Sequence, residues 1–432
     1  MSQTQVLKGD ALSRKLFSVA LFAQTQRMPG FGRMLTGPSA DAGQAISKIK
    51  GQSVPDMPIV RVTDLSKTAG DTISLDLFGV IGGAPITGDQ IAEGRGEKLT
   101  SSSMDISINL MTKAVDAGGK MSQQRTLQDL RTIAMAQLTN YFARLDDQTS
   151  LVFMAGARGY QSQNDWVVPV SASTDPNADP VLSDVMVNKV QAPTYNRHFV
   201  ASGTTIIKGG QQLGSIATTD VFKLEHIDAL RTYIDELEYP LQPVRIQDDP
   251  AAADDPMWVM FVTPRQYSSL LSASGTTALR TFQQNAWNRA SYGSKHPLFK
   301  GEVGMWNGIL VKKLNRAIRF TTGTSAQIIT QANAATATES AQAIAGAIIS
   351  TFAVDRAILL GAQALGNVYG KNKSSDYFFS WLERQYNFER NMEVAGDCMG
   401  GKAKLRFAYD ESGVKVPTDH GVIVLDTAVP LT

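Results

Sequence analysis

Two alternating segments held apart by a long glycine-rich stretch constrain this chain more than anything else in it. Residues 72–78 and 104–110 both alternate apolar and polar side chains. Each reads as a strand that hides one face and wets the other. Tight hairpins need only about two to five loop residues. Here roughly 25 intervene, a length that in a compact domain marks a functional or disordered loop. Gly79, Gly82, Gly83, Gly88, Gly94 and Gly96 lie within it. A lone two-stranded hairpin is marginal in water. The expectation is a hairpin over 71–112 that projects from the body, its apolar side chains exposed until a neighbouring copy covers them. Gly83, Pro85, Ile86, Ile91, Arg95 and Lys98 are its candidate contact residues.

The next segment reads as a spine. Gly118 and Gly119 break the strand and supply a hinge, and Ser122 can cap a helix that runs to about Ala155, with Gly156 and Gly159 as stop signals. Leu127, Leu130, Ala134, Leu138, Tyr141, Leu145 and Val152 form one apolar stripe. Leu127, Leu130, Leu138, Tyr141 and Leu145 are its expected core. About 34 residues at helical rise span roughly 50 Å. Arg131, Gln137, Asn140, Arg144, Asp146 and Asp147 make the segment too polar to cross a membrane.

At 432 residues the chain can build two or three lobes. Its net charge of +1 argues against a strongly basic nucleic-acid binder. Its one cysteine, Cys398, excludes an intrachain disulfide. Arg14 and Lys15 precede a short apolar run, 16–23. That run reads as an amphipathic arm helix, with Leu16 and Phe17 as contact candidates, in preference to a secretory leader.

Farther along, 160–220 is rich in Ser, Asn, Asp, Pro and Gly and reads as a surface excursion. Residues 221–238 read as a helix. Residues 257–262 read as a strand, with a helix starting at Pro264 and ending near Leu271. Residues 309–320 read as another strand, and 321–338 as a loop or weak strand pair. Residues 354–360, 402–409 and 422–425 read as a late mixed sheet.

Enzyme chemistry finds little support. The four histidines, His198, His226, His296 and His420, show no metal-ligand spacing. His226 is expected on a solvated helix face. The stretch from Gly396 to Lys402 matches phosphate-loop spacing until Ala403 replaces the hydroxyl residue. The segment beyond it alternates like a strand, so the glycines read as a turn between strands. Asp146, Asp147 and the aspartates near 250 read as solvated charge. No catalytic residue, cofactor or metal is expected.

Four stretches together resemble a family. Gly70, Asp71, Thr72 and Ile73 open the hairpin, and Gly96, Glu97, Lys98 and Leu99 close its loop. The run from His296 to Glu302 is followed by Trp306, Asn307 and Gly308. Next comes the run from Val354 to Leu365, and last the run from Asp419 to Thr427. In this order they resemble the major capsid proteins of tailed bacteriophages, the branch typified by coliphage N-four, with the Hong Kong 97-like fold. The resemblance implies an α+β subunit divided into an N-terminal arm (1–50), an extended loop (51–120), a peripheral domain (121–220 and 376–432) and an axial domain (221–375). It implies self-assembly into hexamers and pentamers of an icosahedral shell around double-stranded DNA. Assembly in the host cytoplasm with scaffold, portal and decoration proteins goes with it, and no membrane. A shell of the same fold around cargo enzymes, as in encapsulins, is the nearest alternative. A nucleotide-dependent enzyme using the 396–402 turn is an alternative of another class.

Overall fold

The computed structural model describes residues 35–37, 52–63, 70–78, 85–87, 93, 95–96, 101–119, 130–161, 166–237, 239–245, 257–273, 281, 302–344, 351–370, 379–386, 388–389, 391–411 and 414–431. Leu16, Phe17, Gly83, Ile91, Lys98, Ser122, Leu127 and the aspartates near 250 fall outside them, as does the arm helix.

Two sheets share one core. Among the described residues the larger has eight strands, counting the short Arg319–Phe320, which pairs with part of Phe352–Leu360. Its centre is Phe352–Leu360, paired antiparallel with Val422–Pro430 on one side and with Trp258–Val262 on the other. Beyond Val422–Pro430 come His198–Ser202, in parallel, and then Thr205–Lys208. Beyond Trp258–Val262 come Ile309–Lys313, in parallel, and Glu302–Trp306. Asn307 and Gly308, with φ of 47° and 78°, make the tight turn between those last two strands, as an Asn-Gly pair in a hairpin should. The smaller sheet is built on the long strand Asn391–Lys404. Asn109–Gly119 pairs with one edge, and Phe379–Tyr386 and Leu365–Tyr369 share the other. Ile59–Val62 joins Leu365–Tyr369 in parallel.

The spine helix, Leu130–Ala155, lies against the small sheet and enters the space beside the large one. Ala134, Leu138, Phe142 and Leu145 make a buried stripe at spacings of three and four, as an amphipathic helix requires. Leu130 and Tyr141 are half-buried beside it. From Gln148 onward every residue is buried, so the stripe widens to the whole circumference. Gln148 is tolerated there because its Oε1 accepts from the Val167 and Val168 amides at 2.6 and 3.1 Å. The helix stops at Gly156, whose φ is +67° and where a Cβ would lie 2.5 Å from the Gln191 carbonyl oxygen.

The other face of the large sheet carries Leu224–Glu236, which buries Leu224, Ile227, Leu230 and Ile234. Pro264–Ala273 packs near the end of the same sheet. Thr263 and Gln266 cap it reciprocally: the Thr263 amide donates to Gln266 Oε1 and the Gln266 amide to Thr263 Oγ1. Pro264 then stands where a missing N–H costs nothing.

Several expectations need correction. The 160–220 segment is no surface excursion: Leu182, Met186, Val190 and Leu213 are core, and His198–Ser202 is a strand of the large sheet. Expected polarity there comes from side chains that cap turns, such as Asp179, which accepts from the amides of Ala172, Val181 and Leu182. Gly118 and Gly119 do not break the strand but end it. Residues 402–409 divide between Asn391–Lys404 and a separate ribbon, Arg406–Glu411 with Val414–Asp419. Residues 309–320 likewise form two strands, and 321–344 holds the pair Ser325–Ile329 and Glu339–Ala343. Val422–Pro430, expected with the peripheral domain, lies in the same sheet as 258–262 and 352–360.

Candidate assembly surface

The loop hairpin pairs Thr72–Phe78 with Ser101–Ser107, Ile73 opposite Ile106 and Phe78 opposite Ser101. Ile73 and Ile106 are buried in this chain's own core, against Val60, Val62, Val368, Leu405 and Phe407. The expectation of exposed apolar side chains along the whole hairpin is therefore corrected at its base. The cause is the ribbon 406–419, which lies along the hairpin: the Ala408 amide donates to Ser102 Oγ at 3.0 Å and the Arg406 amide to Met104 Sδ at 3.4 Å. Toward the far end the described residues are more open to solvent. Phe78 is 65 % exposed and Ile86 40 %, and Pro85 and Arg95 are exposed as well.

A second surface is the outer part of the small sheet. Phe142 of the spine stacks edge-on against Phe379 at 5.9 Å, so one face is covered. Arg131 Nε, 2.5 Å from Glu383 Oε1, ties the start of the described helix to the edge strand. The other face carries the cross-strand row Ala114, Ala395 and Leu382, bordered by the row Asp116, Glu393 and Arg384. Leu110 and Leu382 stand exposed there. At the tip, Phe388 and Glu389 take φ of 52° and 61°, a conformation that costs a non-glycine residue about 1 kcal/mol or more. It places the Phe388 ring 97 % in solvent. Water exposure of an aromatic ring held on a strained tip is a poor arrangement for a lone molecule and a good one for a contact.

A frame of buried charge stiffens the body behind these surfaces. On the spine-facing side of the large sheet, Arg356 Nε and Nη2 donate to the two oxygens of Asp426, both at 2.8 Å. Arg356 Nη1 donates to the Ala155 carbonyl at 2.9 Å, the last residue of the spine helix. His198 Nε2 lies 2.7 Å from Asp426 Oδ2. Burial alone would raise the Asp426 carboxyl; Arg356 and His198 overcome it and hold it well below the usual carboxylate range. On the opposite side Arg319 forks onto Asp355, at 2.6 and 2.7 Å, and Thr263 Oγ1 donates to the same carboxylate. Lys404 and Arg406 share Asp419 at 2.7 and 2.8 Å.

The remaining candidates also resolve. His226 is fully buried, contrary to expectation, and its Nδ1 accepts the Lys223 amide at the helix start. Asp146 is no freely solvated charge: Lys402 Nζ sits 2.7 Å from its Oδ1, while Asp147 is 3.9 Å from Arg316. The stretch 396–402 is neither a phosphate loop nor a turn, since it lies inside the strand Asn391–Lys404. A Cβ at Gly401 would meet the Ser107 carbonyl oxygen at 2.0 Å, so the glycine serves close strand packing. Among the described residues no group of His, Cys, Asp or Glu could hold a metal ion.

The family model described as phage capsid protein matches residues 5–431. The chain belongs to that family. As a phage capsid protein it is a structural protein of the virion and not an enzyme. The capsid of Ralstonia phage GP4 superposes with a TM-score of 0.69 at 22 % identity, over 99 % of this chain and 98 % of that one. The capsid asymmetric unit of cyanophage Pam1 gives 0.55 at 20 %, over 87 % and 90 %. The head structure of Helicobacter pylori bacteriophage KHP40 gives 0.54 at 11 %, over 88 % of both chains. No curated protein matches. These likenesses bear out the Hong Kong 97-like α+β fold expected from the sequence. A capsid protein acts in many copies, which gives the exposed apolar tips a reason.

Proposed function

We propose that this capsid protein is the major subunit of an icosahedral head, arranged as hexamers and pentamers around double-stranded DNA. The observation that carries this reading is the loop hairpin, anchored at Ile73 and Ile106 and apolar at its free end. An anchored base fixes where the tip points, and an apolar tip gains only when another copy covers it. The arm (1–50), loop (51–120), peripheral (121–220 and 376–432) and axial (221–375) parts would divide the work, although the Val422–Pro430 strand ties the last two together. Many modest contacts then sum to a stable shell. Gly118 and Gly119 lie near a register shift between Asn391 and Glu393, which suits a joint about which the subunit shifts as the head fills. Near-neutral net charge suits a wall that touches DNA weakly. Scaffold, portal and decoration proteins would take part during assembly in the host cytoplasm.

Expression of the chain followed by sedimentation and negative-stain imaging tests the proposal. Closed shells are the expected result, and a monomer under all assembly conditions overturns it. Particles that co-purify with a protein cargo and lack a portal would favour the compartment reading.

A further inference from the structure

The spine helix does not close completely onto the small sheet. Phe142, Leu145 and Phe153 on the helix, and Met111, Phe379 and Cys398 on the sheet, line a cavity of about 40 Å³ that is partly open at its lip. That is room for about three water-sized bodies. Water stays in a cavity only where two or more polar groups turn toward it. The polar side chains at this margin are engaged with one another or with the backbone, and Asp146 Oδ1 lies 2.7 Å from Lys402 Nζ. Lys402 Nζ donates to the Asp146 carbonyl at 2.6 Å, to Thr149 Oγ1 at 3.1 Å and to Ser150 Oγ at 2.8 Å. Thr149 Oγ1 donates to the Leu145 carbonyl at 2.8 Å. Asn367 Nδ2 donates to Tyr369 Oη at 3.1 Å. Most of the remaining wall is carbon and sulfur, the latter from Met111, Met186 and Cys398. Burial pushes the Cys398 thiol up to about 12, so it stays neutral.

The lip of the cavity is strained. Val187 lines it with φ 67° and ψ −58°. The Asn188 amide donates to the Met186 carbonyl at 2.8 Å, closing a γ-turn of the rare, unfavourable hand. A β-branched residue in that conformation is an outlier. Asn188 holds the turn in place: its Oδ1 accepts from the Ser107 amide at 3.0 Å, and its Nδ2 donates to the Ser107 and Lys402 carbonyls at 2.9 and 3.0 Å. Strain of this kind survives only where the surroundings over-determine it, and it gathers at ligand clamps.

We propose that this cavity is a binding site for a small, neutral, apolar molecule, such as a rare-gas atom or a hydrocarbon of about three or four heavy atoms, and that the Val187 turn is its gate. An occupant restores dispersion contacts that the facing walls lack. It binds the folded chain alone, so it raises resistance to unfolding. Soft sulfur atoms favour a polarisable guest.

Xenon is the probe, applied under pressure to the full chain, with thermal unfolding and ¹²⁹Xe chemical shift as readouts. The parent should show a saturable shift of the xenon signal and a rise in Tm of about 2 °C. Cys398→Leu fills the space and should weaken xenon association at least tenfold, and Cys398→Val is a milder filler if the larger one fails to fold. Val187→Gly relaxes the turn and should speed xenon exchange without abolishing binding. Ordered water in the cavity, or xenon response equal in the parent and a folded filled variant, overturns the proposal.

Discussion

Arg356 shows how much one side chain can hold. Its guanidinium joins the centre of the large sheet, the neighbouring strand through Asp426 and the last carbonyl of the spine helix. Removing one member of a buried pair leaves a stranded charge, at about 3–5 kcal/mol. Arg356→Met should therefore lower the unfolding free energy by that much, read as a lower urea midpoint at unchanged m. The double replacement Arg356→Met with Asp426→Leu should recover a good part of the loss, since both charges then leave together. His420 makes a second case. Burial, with Arg197 adding to it, depresses its imidazole to about 4, whereas an unfolded chain protonates near 6.5. Between those values the unfolded chain binds more protons, so stability falls as pH drops through that window. His420→Gln should flatten the midpoint-versus-pH curve between pH 6.5 and 4. Some slope remains, because burial lowers His198 and His226 too. An unchanged slope would show that His420 titrates normally. None of this frame was legible in the sequence. Asp355 and Arg356 interrupt an apolar strand visibly, but their partners lie 36 and 70 residues away, and one sequence does not reveal pairing across such distances.

At the scale of elements the sequence spoke more clearly. The strand Thr72–Phe78 appears as the alternation predicted it, and the spine ends at Ala155 where Gly156 stops it. Strong periodicity and a glycine that must turn are local signals. The 160–220 segment failed because its turn-forming residues are satisfied by one another and by the backbone, which lets a polar sequence sit in a core. The 396–402 glycines failed for a related reason. They mark close approach to Ser107, and a sequence does not distinguish tight packing from a turn. Leu138→Asp places an unpaired charge in the spine's buried stripe and should cost roughly 4 kcal/mol, read as loss of soluble folded protein. Deleting residues 80–100 and closing the gap with a short turn should spare the fold, because the base of the hairpin is gripped by its own core and a shorter connection lowers closure entropy. Circular dichroism should stay unchanged while sedimentation loses the particle peak. Unfolding of that variant would mean that the loop is part of the core.

For the whole molecule, the separation between body and tips matters most. Phe388 is almost wholly exposed, so Phe388→Ser should leave the melting temperature within about 1 °C of the parent and reduce particle yield severalfold. Equal yield would remove the Phe388 tip from the assembly surface. The position of Val422–Pro430 carries one more consequence. It lies between His198–Ser202 and Phe352–Leu360, and Asp426 meets His198 across 228 residues of chain. During synthesis both of those neighbours leave the ribosome first and wait with an open slot between them. Until the slot fills, those waiting edges can capture the wrong strand. A nascent chain of this kind calls for shielding on the ribosome, and a subunit cannot take its place in a shell until its translation has passed that strand.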